Sequence, residues 1–176
     1  MKFYSTKFKD LKIIKLKRFN DFRGDNIKIF NKKYKKFNFN FFESYVSISK
    51  KGSVRGLHGQ LGKFSQSKLI YCIKGKVLDI AIDLRKNSKT YGNIFKKKIS
   101  SKNMTAILIP GGFVHGLVAL ENNTILVNFN SKDYNPKKEF GINIKSINLK
   151  LPKVKLHISK KDKKLMGLTD YISNQK

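Results

Sequence analysis

Residues 77–84 read VLDIAIDL, and the placing of this octapeptide decides the architecture. Side chains alternate along a strand, so Leu78, Ile80, Ile82 and Leu84 share one face while Val77, Asp79, Ala81 and Asp83 share the other. The first face is core. The second, with two carboxylates, is either the solvated side of an edge strand or the lined interior of a barrel. Working outward, similar β-branched and aromatic runs recur: FFESYVSI (41–48), KLIYCI (68–73), TAILI (105–109), GLVAL (116–120) and TILVNF (124–129). Turn-rich stretches such as KKGS, RKNSKTYGN, IPGGF and LENNT part them at intervals of about ten residues, the spacing of an all-β sandwich or barrel. No repeat period points to a solenoid or propeller. The one convincing helix signal is SKKDKKLMGL (159–168), where Ser159 is a fitting N-cap and Asp162, three residues later, completes a capping box. The tail beyond Gly167 is expected to be loosely ordered.

A chain of 176 residues supports one core, so a single domain over 1–176 is expected. Its 40% hydrophobic content, with 14 Phe and 7 Tyr, suffices for a packed interior. The N-terminal MKFYSTKFKDLKIIKLKRF has no signal-type apolar stretch, and no run approaches the roughly 18 apolar residues of a membrane span. A cytoplasmic protein without a membrane partner is the expectation. Cys72 is the sole cysteine and lies in the apolar run KLIYCIKGKVL, which marks a buried structural thiol rather than a nucleophile.

The formal net charge of +28 suggests a nucleic-acid binder. Against this, the lysines are scattered through every segment and accompany many Asn, Ile and Phe, as drift toward AT-rich codons would produce. No nucleic-acid partner is therefore expected, although a non-catalytic basic binding protein remains the rival from another class. Of 39 basic residues only Arg18, Arg23, Arg55 and Arg85 are arginines. An arginine kept where lysine prevails is a candidate for bidentate binding of phosphate or carboxylate.

Two of the three histidines sit among glycines, His58 in RGLHGQ (55–60) and His115 in IPGGFVHGLVAL (109–120). Either could be a hydrogen-bonded core residue, and together they suggest a site. A metal centre needs three or four ligands, and the position two after His58 is Gln60, so no metal is expected.

Read in order, FNDFRGD (19–25), VRGLHGQ (54–60), SKLIYCIKGKVLDIAIDLRKNSKTYG (67–92), SSKNMTAILIPGGFVHGLVAL (100–120), DYNPKKEFGI (133–142) and LHISKKD (156–162) resemble the dTDP-4-dehydrorhamnose 3,5-epimerase family over nearly the whole chain. The resemblance implies a cupin-type jelly-roll β-barrel, usually a homodimer exchanging N-terminal strands. It implies action on a nucleotide-linked 4-keto-6-deoxy sugar, in deoxysugar and surface polysaccharide biosynthesis, with no metal and no organic cofactor. By the same resemblance His58 is the base and Asp162 its partner, in competition with the capping role of Asp162. Lys68 is the cation beside the sugar ketone, Asp83 and His115 orient it and the sugar, Arg23 and Arg55 bind the pyrophosphate, Tyr134 lies on the nucleotide side, and Gln60 joins the substrate-binding set. The chemistry suits such groups: a C4 ketone acidifies the hydrogens on C3 and C5, so removing one gives an enolate that is reprotonated from the opposite face.

The chain departs from the family pattern in two places. Asn128 stands where the family carries its general-acid tyrosine, and an amide cannot deliver a proton as a phenol does. Tyr45, Tyr71 or a water would then serve, or the enzyme moves the ketone from C4 to C3 as a nucleotide-sugar keto-isomerase, or it inverts one centre only. Lys28, Glu43 and Tyr45 occupy positions where thymidine-specific members carry an acid and amides, which leaves GDP- and CDP-linked sugars open as well.

Overall fold

The computed structural model describes residues 1–31 and 40–175. In chain order its strands are β1 (Lys2–Ser5), β2 (Lys12–Lys15), β3 (Arg18–Asp21), β4 (Gly24–Ile27), β5 (Glu43–Ser49), β6 (Val54–Gln60), β7 (Lys68–Lys74), β8 (Lys76–Asp83), β9 (Ile94–Ser100), β10 (Thr105–Ile109), β11 (Phe113–Ala119), β12 (Thr124–Asn130) and β13 (Glu139–Gly141). Two short helices follow, α1 (Lys160–Lys163) and α2 (Leu168–Ser173). One sheet runs β1-β2-β10-β7-β12-β5, the other β13-β6-β11-β8-β9, and β3-β4 form a separate hairpin. The two antiparallel sheets pack face to face as a jelly roll.

The octapeptide of β8 resolves to the barrel interior. β8 is flanked by β11 and β9, so it is not an edge strand. Leu78, Ile80, Ile82 and Leu84 face outward into a cluster closed by the C-terminal segment, including Ile142, Ile144 and Leu156. Val77 and Ala81 face inward with Ile70, Cys72, Leu117 and Leu126, residues drawn from both sheets. Asp79 and Asp83 share this inner face, and both are fully buried. A third cluster, with Leu69, Tyr71, Leu108 and Val127, covers the outer side of the six-stranded sheet. Each fully buried Leu or Ile in these layers contributes roughly 2 kcal/mol by transfer from water.

Cys72 is buried, as expected, and its thiol is pushed up to about 11 by that burial. The tail after Gly167 departs from expectation. It forms α2, whose Tyr171 stacks on Phe140 with ring centroids 5.4 Å apart. This aromatic pair supplies the anchoring that a composition-based reading of the tail lacks. Among the described residues no helix is long and apolar enough to cross a membrane.

Candidate active site

Between the sheets lies an open cavity of about 340 Å³. One wall is built on β6 and β11. In a regular strand Arg55 and His58, three apart, would point to opposite faces. The β6-β11 register instead pairs His115 with His58 and Leu117 with Arg55, so β6 carries one extra residue between them. Such a bulge returns the side chains on either side of it to the same face, and both Arg55 and His58 line the cavity. Gly56 makes this turn possible. It has φ +94°, and a Cβ there would sit 2.5 Å from the His115 carbonyl oxygen.

His58 Nε2 lies 2.7 Å from Asp162 Oδ1 on α1. Its Nδ1 lies 3.7 Å from Glu139 Oε1 on β13, and Glu139 also pairs with Lys161. Carboxylates on two sides fix the ring and stabilise the imidazolium once it takes a proton. Half of the expected capping box forms: the Asp162 backbone N–H donates to Ser159 Oγ at 3.0 Å, while the carboxylate turns to His58. Capping and pairing therefore use different atoms of Asp162 and do not compete. Next to His58 on the same wall, His115 Nε2 lies 2.8 Å from Asp79 Oδ2, with both groups buried.

The facing wall comes from the other sheet. Lys68 of β7 and Asn128 of β12 line it, and the β12-β5 register sets Tyr45 directly beside Asn128. Burial pulls the Lys68 ammonium below its ordinary value, while Glu139, Glu43 and Asp79 pull it back up. A cation held among carboxylates on the cavity wall is well placed to take charge developing on a substrate oxygen.

The structure thus gathers His58, Asp162, Lys68, Arg55, His115, Asn128 and Tyr45 around one cavity. The other expected residues lie elsewhere. Asp83 corrects the reading by resemblance: the turn after β8 folds back, and its carboxylate accepts from Arg85 Nε at 2.8 Å and Nη2 at 2.7 Å and from Ser88 and Thr90 hydroxyls at 2.6 Å each. Burial opposes its charge, but these bonds outweigh it and hold the carboxyl down at about 2. The carboxylate that meets His115 is Asp79, two residues earlier. Gln60 is also corrected. Its buried amide donates to the carbonyls of Phe64 and Asp133 and accepts from the Asn135 N–H, which ties the 133–135 loop to β6.

Tyr134 is half exposed and donates to Glu139 at 3.1 Å, behind His58 rather than in the cavity. Glu43 accepts from Asn130 at 2.7 Å, two residues along β5 from Tyr45. Lys28 is exposed beyond β4, and Arg23 is exposed on the β3-β4 hairpin, paired with Asp21 at 2.7 Å. Tyr71 packs on the outer side of its sheet, away from the cavity. Sequence reasoning missed Asp79, Glu139 and Lys161. The alternation of β8 had put Asp79 on one face with Asp83, but only the structure shows that this face is the interior and which of the two reaches His115. Among the described residues no group of three or more His, Cys, Asp or Glu side chains is gathered as a metal would need.

Residues 5–170 match the family model described as dTDP-4-dehydrorhamnose 3,5-epimerase. The chain is 35% identical over 168 residues to the dTDP-4-dehydrorhamnose 3,5-epimerase of Shigella flexneri, covering 92% of this chain and 93% of that one. It is similar to the crystal structure of the Elizabethkingia anophelis enzyme of that name, with TM-score 0.88, 34% identity and 97% of each chain covered. A Legionella pneumophila epimerase solved in complex with dTDP-4-keto-L-rhamnose matches with TM-score 0.88 and 30% identity, over 96% of this chain and 93% of that one.

Proposed function

The chain belongs to the dTDP-4-dehydrorhamnose 3,5-epimerase family and is a nucleotide-sugar epimerase, and on that premise we propose that it inverts C3, C5 or both of a nucleotide-linked 4-keto-6-deoxy sugar with His58 as the base. The observation that carries the assignment of roles is the His58–Asp162 contact of 2.7 Å on one wall of a cavity whose facing wall carries Lys68. In this reading neutral His58 removes the hydrogen beside the ketone. Asp162 holds the ring and stabilises the imidazolium that forms. The electron pair moves to the ketone oxygen, where Lys68 takes the enolate charge. His115, held by Asp79, orients the sugar, and Arg55 is the pyrophosphate ligand in the cavity. Two bonds, from its Nε to Ser49 Oγ and from its Nη2 to the Ile48 carbonyl, both 2.9 Å, fix the guanidinium so that its remaining N–H groups are free for phosphate.

The remaining parts of the reading are a homodimer, a cytoplasmic location and a part in surface polysaccharide synthesis. The exposed β3-β4 hairpin supports the dimer. It carries Arg23 and a 99% exposed Phe22, a side chain that a partner subunit would cover.

The test is NMR of dTDP-, GDP- and CDP-linked 4-keto sugars incubated with the protein in deuterated water. Deuterium at C3 or C5 with inversion is the expected result, and the panel identifies the nucleotide. One observation favours a second reading: Asn128 leaves that point of the wall without a phenol, which suits an isomerase whose single base shuttles a proton on one face. Migration of the carbonyl to C3 would establish it.

A further inference from the structure

Inversion needs two groups on opposite sides of the ring, because the carbon that loses its hydrogen to His58 must gain one from the other face. The two walls of the cavity belong to different sheets, so a donor facing His58 has to come from β5, β7 or β12. The cavity-lining residues on these strands are Tyr45, Ser47, Lys68 and Asn128. Asn128 and Ser47 have no proton to give in the neutral range. Lys68 is assigned to the ketone oxygen. Among the described residues Tyr45 is the one phenol lining the cavity. Tyr71 packs in the cluster behind the sheet, and Tyr134 donates to Glu139 on His58's own side.

The register makes Tyr45 and Asn128 directly opposed residues of an antiparallel pair, and such side chains stand about 5 Å apart on one face. Both side chains line the cavity. We propose that Tyr45 is the proton donor of this epimerase, delivering its proton to the sugar face opposite His58. The inference rests on the epimerase reading above and names the residue that completes it. The C–H bond breaks toward His58 and its electron pair forms the enolate. The enolate carbon then takes the phenolic proton and a new C–H bond forms on the opposite face, leaving tyrosinate and imidazolium. Solvent returns a proton to the first and accepts one from the second, so the enzyme is regenerated without a further reactant. Although Tyr45 is 44% exposed, partial desolvation raises its phenol above the ordinary value, with Glu43 adding to this and Arg55 opposing it, so the group is protonated in the neutral range.

The experiment compares wild type, Tyr45→Phe and Tyr45→Phe/Asn128→Tyr in deuterated water, following deuterium incorporation and inverted product separately by NMR. Tyr45→Phe should lose inversion by about 10²-fold or more, the range for removing a general acid. Deuterium should still enter with retained configuration, because His58 can return a deuteron to the face it came from. That surviving exchange also reports a folded, substrate-binding site. The double variant, with its phenol moved one strand inward, should regain part of the inversion. If Tyr45→Phe inverts at the wild-type rate, the donor is another group or solvent and the inference is wrong. If Tyr45→Phe loses exchange and inversion together and the double variant restores neither, Tyr45 binds or supports rather than donates, and the inference is again wrong. Absence of exchange by wild type with every sugar overturns the epimerase reading itself, which the variants alone would not do.

Discussion

Replacing Asp83 with asparagine separates a structural carboxylate from a catalytic one. Asp83 is buried and accepts two bonds from the Arg85 guanidinium, one from the Arg85 backbone N–H and one each from Ser88 and Thr90. Its carboxyl is lowered from 3.8 to about 2. A depression of that size corresponds to about 2 kcal/mol of folding stability at neutral pH. The native value lies below the unfolded one, so this stability is complete above 3.8 and is lost as pH falls toward 2. Asparagine keeps the volume but leaves the Arg85 guanidinium without its counter-charge, so the loss should be about 2 to 4 kcal/mol. The lower end is favoured because the Arg85 side chain is still 24% exposed. For a chain of this size, that lowers Tm by about 5 to 15 °C. Thermal and urea melts from neutral pH to pH 2, with kcat measured well below the melt, make the test. The wild type should lose its advantage over Asp83→Asn in the acid window, and kcat should be unchanged at low temperature. A variant that keeps its Tm and loses turnover would refute the argument and return Asp83 to the site.

Further outcomes concern the cavity itself. Asp162→Asn weakens the charge-assisted contact with His58, worth about 1.5 to 3 kcal/mol, while sparing the backbone cap to Ser159, so kcat should fall about 10- to 150-fold with Tm lowered by about 3 to 10 °C, as steady-state kinetics well below the melt and a thermal melt would check. Lys68→Met should lower kcat about 10²- to 10³-fold with a smaller effect on substrate affinity, measured by turnover and calorimetric titration. Gly56→Ala forces a Cβ against the His115 carbonyl at a backbone angle L residues avoid, and should cost both stability and turnover. A Gly56→Ala protein with wild-type kcat would show that the bulge is not what aims His58.

The strand-like runs and their spacing pointed to an all-β sandwich or barrel, while the jelly roll and the roles of His58, Asp162, Lys68 and His115 came from the resemblance. What the sequence could not disclose is governed by register and by turns. Asp79 and Asp83 are equivalent by alternation, and they differ because the turn after β8 brings Arg85, Ser88 and Thr90 onto Asp83 alone. Arg55 and His58 would diverge along a regular strand, and the extra residue of the bulge is what brings them together. Gln60 looked available in RGLHGQ, but its amide is used by a loop more than seventy positions away, a contact that nothing local announces.

The bond between His58 and Asp162 joins positions 104 residues apart. A chain made from its N-terminus therefore emerges with its base long before the group that steadies it. Every partial product ending short of α1 should be inert however well its sheets have formed. In refolding, turnover should return only after far-ultraviolet signals of the strands have recovered, because docking of the C-terminal segment closes the longest loop in the site. Catalytic activity then serves as a clock for the last stage of assembly.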